Sequence, residues 1–371
     1  DKFGRLLTIG RVAHITSPLS HNNSAQRGQC QYRNLCSRGC PYGAYFSSNS
    51  STLPAAAKTG NMTLRPNSIA YELIYDEAKG KATGVKVLDA ETGEQLEFKA
   101  KVIFLCASTM GSTYIMMNSI SNRFPNGFGN DSDELGRNIM DHHLGVGAAG
   151  EWEGFEDQYY FGRRANGIYI PRFRNMGKEK RDYLRGFGYQ GGASRQGWQS
   201  LVAEMSIGAE LKEAVTTPGK WTLGMGGFGE VLPYRDNQVT INREKKDKHG
   251  LPTLTFDTEL KENEFKMRKD MATDAAEMLE AAGFKNVRSY DRPSQHGLGL
   301  GIHEMGTARM GKDPKTSVLN KNNQVHACKN VFVTDGSFMT SANCVNPSLT
   351  YMAFTARAAD FAVSELKKGN L

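Results

Sequence analysis

The chain has 371 residues, a formal net charge of +7, and apolar and charged fractions of 39% and 23%. This length suffices for one large or two ordinary domains with a buried core. The positive charge is not gathered into basic runs, which argues against nucleic-acid binding. No apolar run approaches the ~20 residues that a membrane-spanning helix needs.

The first part of the chain predicts a loop region followed by strands. Residues 1–60 are rich in Ser, Asn, Gly and Cys and lack hydrophobic periodicity, which predicts a long ordered loop region. Residues 62–76 have a strand-like pattern. Residues 86–89 and 97–100 alternate on either side of the turn at 91–93, which predicts a β-hairpin.

A short apolar run at residues 101–106 predicts a strand that is buried on both faces. The run leads into the small residues 108–112 and then into a helical pattern that ends near Met117. A strand, a tight turn and a helix start in this order are typical of a nucleotide-binding sheet.

The middle of the chain has a different composition. Residues 150–255 are rich in Gly, Tyr, Phe and Arg in short alternating segments, which predicts an antiparallel sheet with long loops. Residues 260–282 have helical periodicity, and Gly283 supplies the stop. Residues 286–290 predict an edge strand.

The C-terminal part predicts a buried strand and a long helix. The strand covers residues 329–334, and the helix covers residues 347–368. Asn346 stands where an N-cap belongs, Pro347 suits the first helical position, and Gly369 ends the helix.

Three polar residues near these elements are candidates for a site. His303 lies just before a Gly-Thr turn among small residues, where backbone approaches a flat ligand closely. A histidine titrates near neutral pH and accepts a proton from an alcohol. Asn346 offers an amide to the same hydroxyl at a helix start, where negative charge is favoured. Asp335, at the end of a buried strand, is placed to bind hydroxyls of a cofactor.

Together and in this order, these residues resemble the C-terminal block of the glucose-methanol-choline (GMC) oxidoreductases. That family has a histidine in the setting H-x-x-G-T-x-R-M-G and, after an Asp-Gly pair, a His or Asn before a final helix. His303, Asp335-Gly336 and Asn346 match it. Further segments resemble the family in the correct order: residues 65–73 its adenine-contacting strand, 102–112 its strand and turn that return to the flavin, and 135–142 its G-R-N-x-x-D-H segment.

The resemblance implies an α/β fold in which a Rossmann-like FAD-binding domain is joined to an antiparallel-sheet substrate domain. It implies the cysteine-containing loop region at 1–60, FAD-binding parts at 61–149 and 301–371, and the substrate-binding domain at 150–300. The FAD-binding part at 301–371 carries the catalytic residues. The implied cofactor-binding positions are Ala70, Ala107, Asp335, Gly336, Asn346, Pro347 and Thr350.

The resemblance also implies a mechanism. His303 would take the hydroxyl proton of the substrate, the carbon-bound hydrogen would leave as hydride to FAD, and Asn346 would hold the substrate oxygen and tune the histidine. His142, His143 and His296 are alternative bases, for which ordinary structural roles are preferred. His296 is the most plausible additional substrate contact, because it lies seven residues before His303.

The family binds the ADP part of FAD with a G-x-G-x-x-G turn, and no such turn follows a strand in this sequence. The chain also opens at Asp1 without a methionine or a signal-peptide pattern. We therefore expect the N-terminal ADP-binding part to be a separate chain or to have been lost by truncation or processing. We expect this chain alone to hold FAD weakly.

Three cysteines, Cys30, Cys36 and Cys40, have the spacing C-x5-C-x3-C. Three thiolates this close suit an iron–sulfur cluster. A zinc ion would need a fourth ligand, for which His21 is a poor candidate, and a disulfide would leave one thiol over. The spacing resembles that of bacterial FAD-dependent sugar dehydrogenases of the same family, which implies a 3Fe-4S cluster that passes electrons singly to an external carrier. The remaining cysteines are predicted to be small buried side chains: Cys106, Cys328 and Cys344.

The substrate favoured by the resemblance is a sugar, glycoside or polyol, and the favoured location is the bacterial periplasm. Aromatic and polar residues in the middle of the chain suit a sugar, although each also suits ordinary sheet packing: Tyr159, Tyr160, Arg163, Arg164, Asn166, Tyr169, Trp198 and Trp221. Two alternatives stay open. One is a flavin alcohol oxidase or dehydrogenase for a non-sugar substrate, with structural cysteines. The other is a non-catalytic fragment, or a carbohydrate-binding or electron-relay subunit, that needs a second chain for FAD.

Overall fold

The computed structural model describes residues 3–17, 27–33, 36–158, 167–195, 207–216 and 219–371. Within these ranges the chain has the predicted α/β character. Several residues singled out from the sequence lie outside the described residues: His21, Tyr159, Tyr160, Arg163, Arg164, Asn166 and Trp198.

Five α-helices and thirteen strands are defined within the described ranges. No helix among them has both the length and the apolar character that a bilayer crossing requires. The helices are α1 (Thr52–Ala57), α2 (Ser108–Asn118), α3 (Gly208–Thr216), α4 (Glu262–Ala281) and α5 (Ser348–Lys367). The strands are β1 (Thr8–Ile9), β2 (Ser68–Asp76), β3 (Lys81–Asp89), β4 (Gln95–Lys99), β5 (Ile103–Leu105), β6 (Val146–Trp152), β7 (Ile168–Ile170), β8 (Phe187–Arg195), β9 (Trp221–Gly229), β10 (Gln238–Lys246), β11 (Pro252–Asp257), β12 (Lys285–Asp291) and β13 (Val331–Val333).

The strands β5 and β13 pair in parallel, although more than 200 residues separate them in the sequence. Both were predicted as buried strands, and both predictions are confirmed. Continuous apolar runs of this kind suit strands that are covered on both faces. The rings of Phe104 and Phe332 stack across the pair with centroids 4.9 Å apart. Because the strands are parallel, the segments that follow them, Cys106 and Thr334, emerge at the same edge.

The predicted hairpin is also confirmed, as β3 and β4 of the antiparallel sheet β2-β3-β4. The strand before it begins at Ser68, six residues later than the sequence pattern suggests. Pro66 has no backbone N–H to offer a ladder, and Asn67 takes a left-handed conformation with φ of 54°. These two residues delay the start of β2.

The glycine-rich middle of the chain forms an antiparallel sheet with the strand order β1-β7-β8-β9-β6-β12. Its outermost strands, β1 and β12, come from outside residues 150–255, so the sheet draws on more of the chain than predicted. The edge position predicted for β12 is confirmed. At position 191 the sheet requires glycine, because a Cβ on Gly191 would collide with the carbonyl group of Gly224 on β9.

Helix α4 packs against this sheet through a stripe of residues four apart: Met267, Met271, Ala275 and Leu279. All four are essentially inaccessible to solvent, and this spacing places them on one face of a helix. The helix ends at Ala281, and Gly283, the predicted stop, follows the C-cap residue with a φ of 96°. Burial of this stripe joins the helix and the sheet in one core.

Helix α5 has the predicted extent, but its N-cap prediction is wrong. The N-cap is Pro347, and no side chain caps the helix. The amide of Asn346 instead contacts Gln190 and His303. The helix ends at Lys367, and Gly369, the predicted stop, follows the C-cap residue with a φ of 75°.

The burial predicted for the isolated cysteines is confirmed for Cys328 and Cys344 and wrong for Cys106. Cys106 is exposed because β5 ends at Leu105 and the chain turns there into α2. In this turn Ser108 takes a left-handed conformation with φ of 66°.

A buried carboxylate ties the N-terminal segment to α4. Asp274 forms an ion pair with Arg5, a second one with Arg174 at 3.0 Å, and accepts a hydrogen bond from the Tyr189 hydroxyl at 3.0 Å. Its side chain is only 2% exposed. The buried charge of Asp274 is stabilised by its pairing with Arg5 and Arg174, because an unpaired buried charge is costly.

We expect Asp274→Asn to lower the free energy of unfolding by about 3 kcal/mol, since it removes the carboxylate paired with Arg5 and leaves Arg174 with Asp270 and Glu179. Urea denaturation measures the change. The control is Asp182→Asn, which removes an exposed ion pair with Lys266 and should cost less than about 1 kcal/mol. Equal losses in the two variants would contradict the role given to Asp274.

Candidate active site

The two predicted catalytic residues are brought together by the fold. His303 lies in the loop between β12 and β13, and Asn346 lies directly before α5. The Nδ2 atom of Asn346 is 3.4 Å from Nε2 of His303. His303 is half-buried and Asn346 is exposed, so the pair faces a surface that a substrate can reach.

The loop that carries His303 is held by a buried carboxylate, Asp141. Its Oδ2 accepts hydrogen bonds from the backbone N–H groups of Gly301 at 2.8 Å and Gly299 at 3.1 Å. Its Oδ1 accepts from the backbone N–H groups of His142 at 2.7 Å and His303 at 3.2 Å. A Cβ at Gly301 would collide with the carboxylate, so this position requires glycine. Asp141 thus fixes the backbone on both sides of the site.

His142, which the sequence indicated as an ordinary structural histidine, touches His303 directly. The two Nδ1 atoms are 3.1 Å apart. The other ring nitrogen of His142 lies 3.2 Å and 3.1 Å from the carbonyl oxygens of Ala342 and Asn343. The ring of Phe228 stacks on His142 with centroids 4.3 Å apart. His142 therefore has a partner for each nitrogen and a packed face.

Gln190 is a site residue that sequence reasoning missed. It projects from β8, and its Nε2 donates to Oδ1 of Asn346 at 2.7 Å. No motif marks a glutamine in a glycine-rich strand, and only the packing of the six-stranded sheet beside α5 reveals the contact. The amide of Asn346 is thereby held between Gln190 and His303.

Burial sets the ionisation of the histidines. It lowers the pKa of His303, and the nearby Glu304 opposes this only in part. Burial, reinforced by His303, lowers the pKa of His142 to about 3. Burial, reinforced by the Arg268 guanidinium, lowers the pKa of His143 to about 3. All three rings are therefore neutral near neutral pH.

In the part of the chain that the structure describes, Asp141, His142 and His303 are the one group of three acidic, histidine or cysteine side chains close enough to share a metal ion. The atoms of Asp141 and His142 that could bind a metal ion are instead engaged in hydrogen bonds. The carboxylate accepts four backbone N–H groups, and Nε2 of His142 faces two carbonyl oxygens. This arrangement suits a hydrogen-bonded network better than a metal site.

The predicted cofactor residues Asp335 and Gly336 follow the end of β13, and both are packed against other parts of the protein. The carboxylate of Asp335 accepts hydrogen bonds from the hydroxyls of Ser112 and Ser337. A Cβ at Gly336 would collide with the carbonyl oxygen of Glu304. These contacts lock β13, α2 and the His303 loop together, and binding of a cofactor by Asp335 and Gly336 stays a prediction.

The other predicted cofactor positions are distributed around the same edge and on β2. Ala107 is exposed in the turn before α2, Pro347 is buried at the start of α5, and Thr350 is half-buried in its first turn. Neither helix has a side-chain cap at its N-terminus. Ala70 is exposed on β2 where the pairing with β3 shifts register.

His296, predicted as an additional substrate contact, has its ring against Gly145, where a Cβ would collide with it. No contact between His296 and His303 is found in the described part of the chain. A role in substrate binding stays a prediction.

The three clustered cysteines are free thiols. Cys30 is buried, and Sγ of Cys36 lies 3.7 Å from Nε2 of His14. Burial raises the pKa of the Cys40 thiol, but the backbone N–H groups of residues 42–45 outweigh it, so that this pKa lies below its ordinary value. The loop thus stabilises a thiolate at Cys40. A single metal ion could be shared by the three sulfur atoms only if all of them lay within 4.8 Å of one another. They do not.

Two models of the GMC oxidoreductase family match the chain, one over residues 15–144 and the other over residues 233–355. The first match includes the clustered cysteines and Asp141, and the second includes His303 and Asn346. Together the two matches cover more than half of the chain.

Curated relatives match along most of the chain. A 2-methyl-1,2-propanediol dehydrogenase from Mycolicibacterium austroafricanum is 30% identical over 87% of this chain and 58% of its own length. The fructose dehydrogenase large subunit from Gluconobacter japonicus is 28% identical over 92% of this chain and 61% of its own length. The chain thus spans about three fifths of the length of these relatives.

Among solved structures, the Aspergillus oryzae formate oxidase has the same fold over 86% of this chain and 64% of its own, with a TM-score of 0.59 and 16% identity. A pyridoxine 4-oxidase from Mesorbium loti matches over 88% of this chain and 62% of its own, with a TM-score of 0.53 and 18% identity. At this identity the likeness concerns the fold.

We expect Asp141→Asn to loosen the His303 loop, because an amide nitrogen would face backbone N–H groups that now meet a carboxylate oxygen. The free energy of unfolding should fall by about 2 kcal/mol. Hydrogen–deuterium exchange should show faster exchange in residues 299–303.

The matched control is Asp131→Asn, which removes an exposed ion pair with Arg123 and should leave exchange in residues 299–303 unchanged. Unaltered protection of this loop in Asp141→Asn would show that the carboxylate does not hold it.

Proposed function

The chain belongs to the GMC oxidoreductase family, and from this premise we propose that it carries the catalytic histidine of an FAD-dependent oxidation of a CH–OH group. The observation that supports this most directly is the pairing of His303 Nε2 with Asn346 Nδ2 across 3.4 Å at a reachable surface. A neutral imidazole beside an amide donor can bind a hydroxyl group and remove its proton.

The two residues divide the work. His303, kept neutral by burial, takes the hydroxyl proton on Nε2. Asn346 donates a hydrogen bond from Nδ2 to the substrate oxygen, whose negative charge grows as the proton leaves. When bound, FAD would supply the acceptor for the carbon-bound hydrogen as hydride, so that the alcohol would lose two electrons and become a carbonyl compound.

The residues at the edge formed by β5 and β13 fit such a cofactor. The turn at residues 106–108 is exposed there. The N-termini of α2 and α5 lack side-chain caps, and uncapped N–H groups at a helix start suit acceptor atoms of an anionic ligand. Ala107, Pro347 and Thr350 are the residues that would lie against it.

The substrate we propose is a sugar, glycoside or polyol. The fructose dehydrogenase large subunit supports a sugar. The 2-methyl-1,2-propanediol dehydrogenase supports a small diol as the second candidate. Because one of these relatives is named a large subunit, an electron-accepting partner subunit is also proposed. A periplasmic location stays a prediction from the resemblance.

We also propose that Cys30, Cys36 and Cys40 hold a 3Fe-4S cluster. The stabilised thiolate at Cys40 supports it, because hydrogen bonds from backbone N–H groups to the sulfurs are a means of tuning such clusters. Sulfur atoms too far apart to share one ion are compatible with a cluster, in which iron and sulfide stand between them. A cluster would pass electrons singly to an acceptor other than oxygen.

For the FAD-loaded protein we expect kcat/KM for the substrate to rise with pH and then level off. The ionisation should have a pKa below the ordinary histidine value, because burial lowers the pKa of His303 and only its neutral form accepts a proton. His303→Ala should lower kcat by about a hundredfold to ten-thousandfold and remove this ionisation.

The matched control is His249→Ala, at the turn between β10 and β11, which should leave both kcat and the pH profile unchanged. Steady-state kinetics with a dye acceptor, over a panel of sugars, polyols and simple alcohols, provides the measurements. Full activity in His303→Ala would refute its role as the base, and activity on simple alcohols alone would refute the sugar class.

The cluster proposal predicts about three iron atoms and acid-labile sulfide per chain. Cys40→Ser should lose iron, whereas Cys106→Ser should retain it, because Cys106 lies outside the loop that carries the three thiols. Iron and sulfide assays with electron paramagnetic resonance measure this. Flavin without iron in the unaltered protein would contradict the cluster.

A further inference from the structure

We propose that His142 is a positioning residue that fixes which ring nitrogen of His303 carries a proton. By accepting a hydrogen bond from Nδ1–H of His303, it leaves Nε2 as the lone pair that faces the substrate. This inference rests on the proposed function of His303 as the base, and it adds a second histidine on whose hydrogen bond that base depends.

The argument starts at a fixed end of the network. Nε2 of His142 lies 3.2 Å from the carbonyl oxygen of Ala342 and 3.1 Å from that of Asn343. Carbonyl oxygens only accept hydrogen bonds. Nε2 of His142 must therefore carry the hydrogen and donate it.

The second step uses the charge of His142. The ring is 3% exposed and lies under the face of Phe228, with centroids 4.3 Å apart. Burial lowers its pKa to about 3, so it is neutral under working conditions. A neutral imidazole carries one hydrogen. Since this hydrogen is on Nε2, the Nδ1 atom of His142 carries a lone pair and can only accept a hydrogen bond.

The third step assigns the ring hydrogen of His303. Its Nδ1 lies 3.1 Å from the accepting Nδ1 of His142, so it must carry the hydrogen. The opposite tautomer would set two lone pairs against each other in a buried place. Nε2 of neutral His303 is therefore unprotonated, as a base that accepts a hydroxyl proton requires.

The same direction continues outward to the sheet. A lone pair on Nε2 of His303 calls for a donor, and Nδ2 of Asn346 stands there at 3.4 Å. The amide orientation this requires turns Oδ1 of Asn346 towards Gln190, whose Nε2 donates to it at 2.7 Å. One fixed end thus sets the direction of each of these hydrogen bonds.

The variants that test this are chosen by shape. His142→Phe keeps an aromatic ring against Phe228 and removes the acceptor. His142→Asn restores an acceptor, because the Oδ1 of asparagine can occupy the place of the histidine Nδ1. The neutral histidine side chain in water favours the Nε2–H tautomer slightly, so His303 without its acceptor should shift towards the form that cannot serve as base.

The measurement is nitrogen NMR of the FAD-loaded protein labelled with 15N-histidine, in which the two ring nitrogens of His303 report where the hydrogen is. We expect Nδ1–H in the unaltered protein and in His142→Asn, and a shift to Nε2–H in His142→Phe. Observation of Nε2–H on His303 in the unaltered protein overturns the proposal, and this result does not depend on any variant folding.

Kinetics supply the second readout. His142→Phe should lower kcat by about tenfold to hundredfold with little change in KM, and His142→Asn should recover most of it. Equal kcat in all three proteins would overturn the proposal. A protein that shows Nδ1–H on His303 but oxidises no alcohol would instead refute the proposed function and leave the tautomer assignment standing.

Discussion

The geometry of the candidate active site depends on one buried carboxylate. Asp141 accepts four backbone N–H groups, two from the glycine-rich loop before His303 and one each from His142 and His303. Such a carboxylate is held rigidly, because each oxygen is satisfied by donors that cannot move independently. It joins two parts of the sequence that are about 160 residues apart. Without it, the backbones of His142 and His303 would lose the acceptor that they share.

Other elements bring the remaining groups to this point. The parallel pair of β5 and β13 turns Cys106 and Asp335 out at one edge, next to the starts of α2 and α5. The antiparallel sheet supplies Phe228 against His142 and Gln190 against Asn346. The sheet and the strand pair therefore meet at the network, and the glycines of the sheet permit the close approach of its strands.

Sequence patterns were informative where local chemistry decides the outcome. The buried strands, the hairpin, the stripe of α4 and the end of α5 before Gly369 follow from apolar spacing and from residues with special backbone preferences. The pairing of His303 with Asn346 followed from the family resemblance. The contacts of Gln190 and His142 did not, because they arise between segments distant in sequence that only the fold brings together. Asn346 was assigned to a helix cap for the same reason, since its tertiary partners compete with the local one. Cys106 looked buried because its strand is apolar, but the strand ends one residue before it.

The neutrality and orientation of His303, the proposed base, are set by burial and by hydrogen bonds rather than by an opposing charge. The most direct test is an anaerobic titration of the FAD-loaded protein with sugars and polyols, followed through the absorption of the oxidised flavin. The account predicts that one of these substrates bleaches the flavin and that a carbonyl product forms in equal amount. A bound flavin that stays oxidised in the presence of every sugar, polyol and simple alcohol would contradict it.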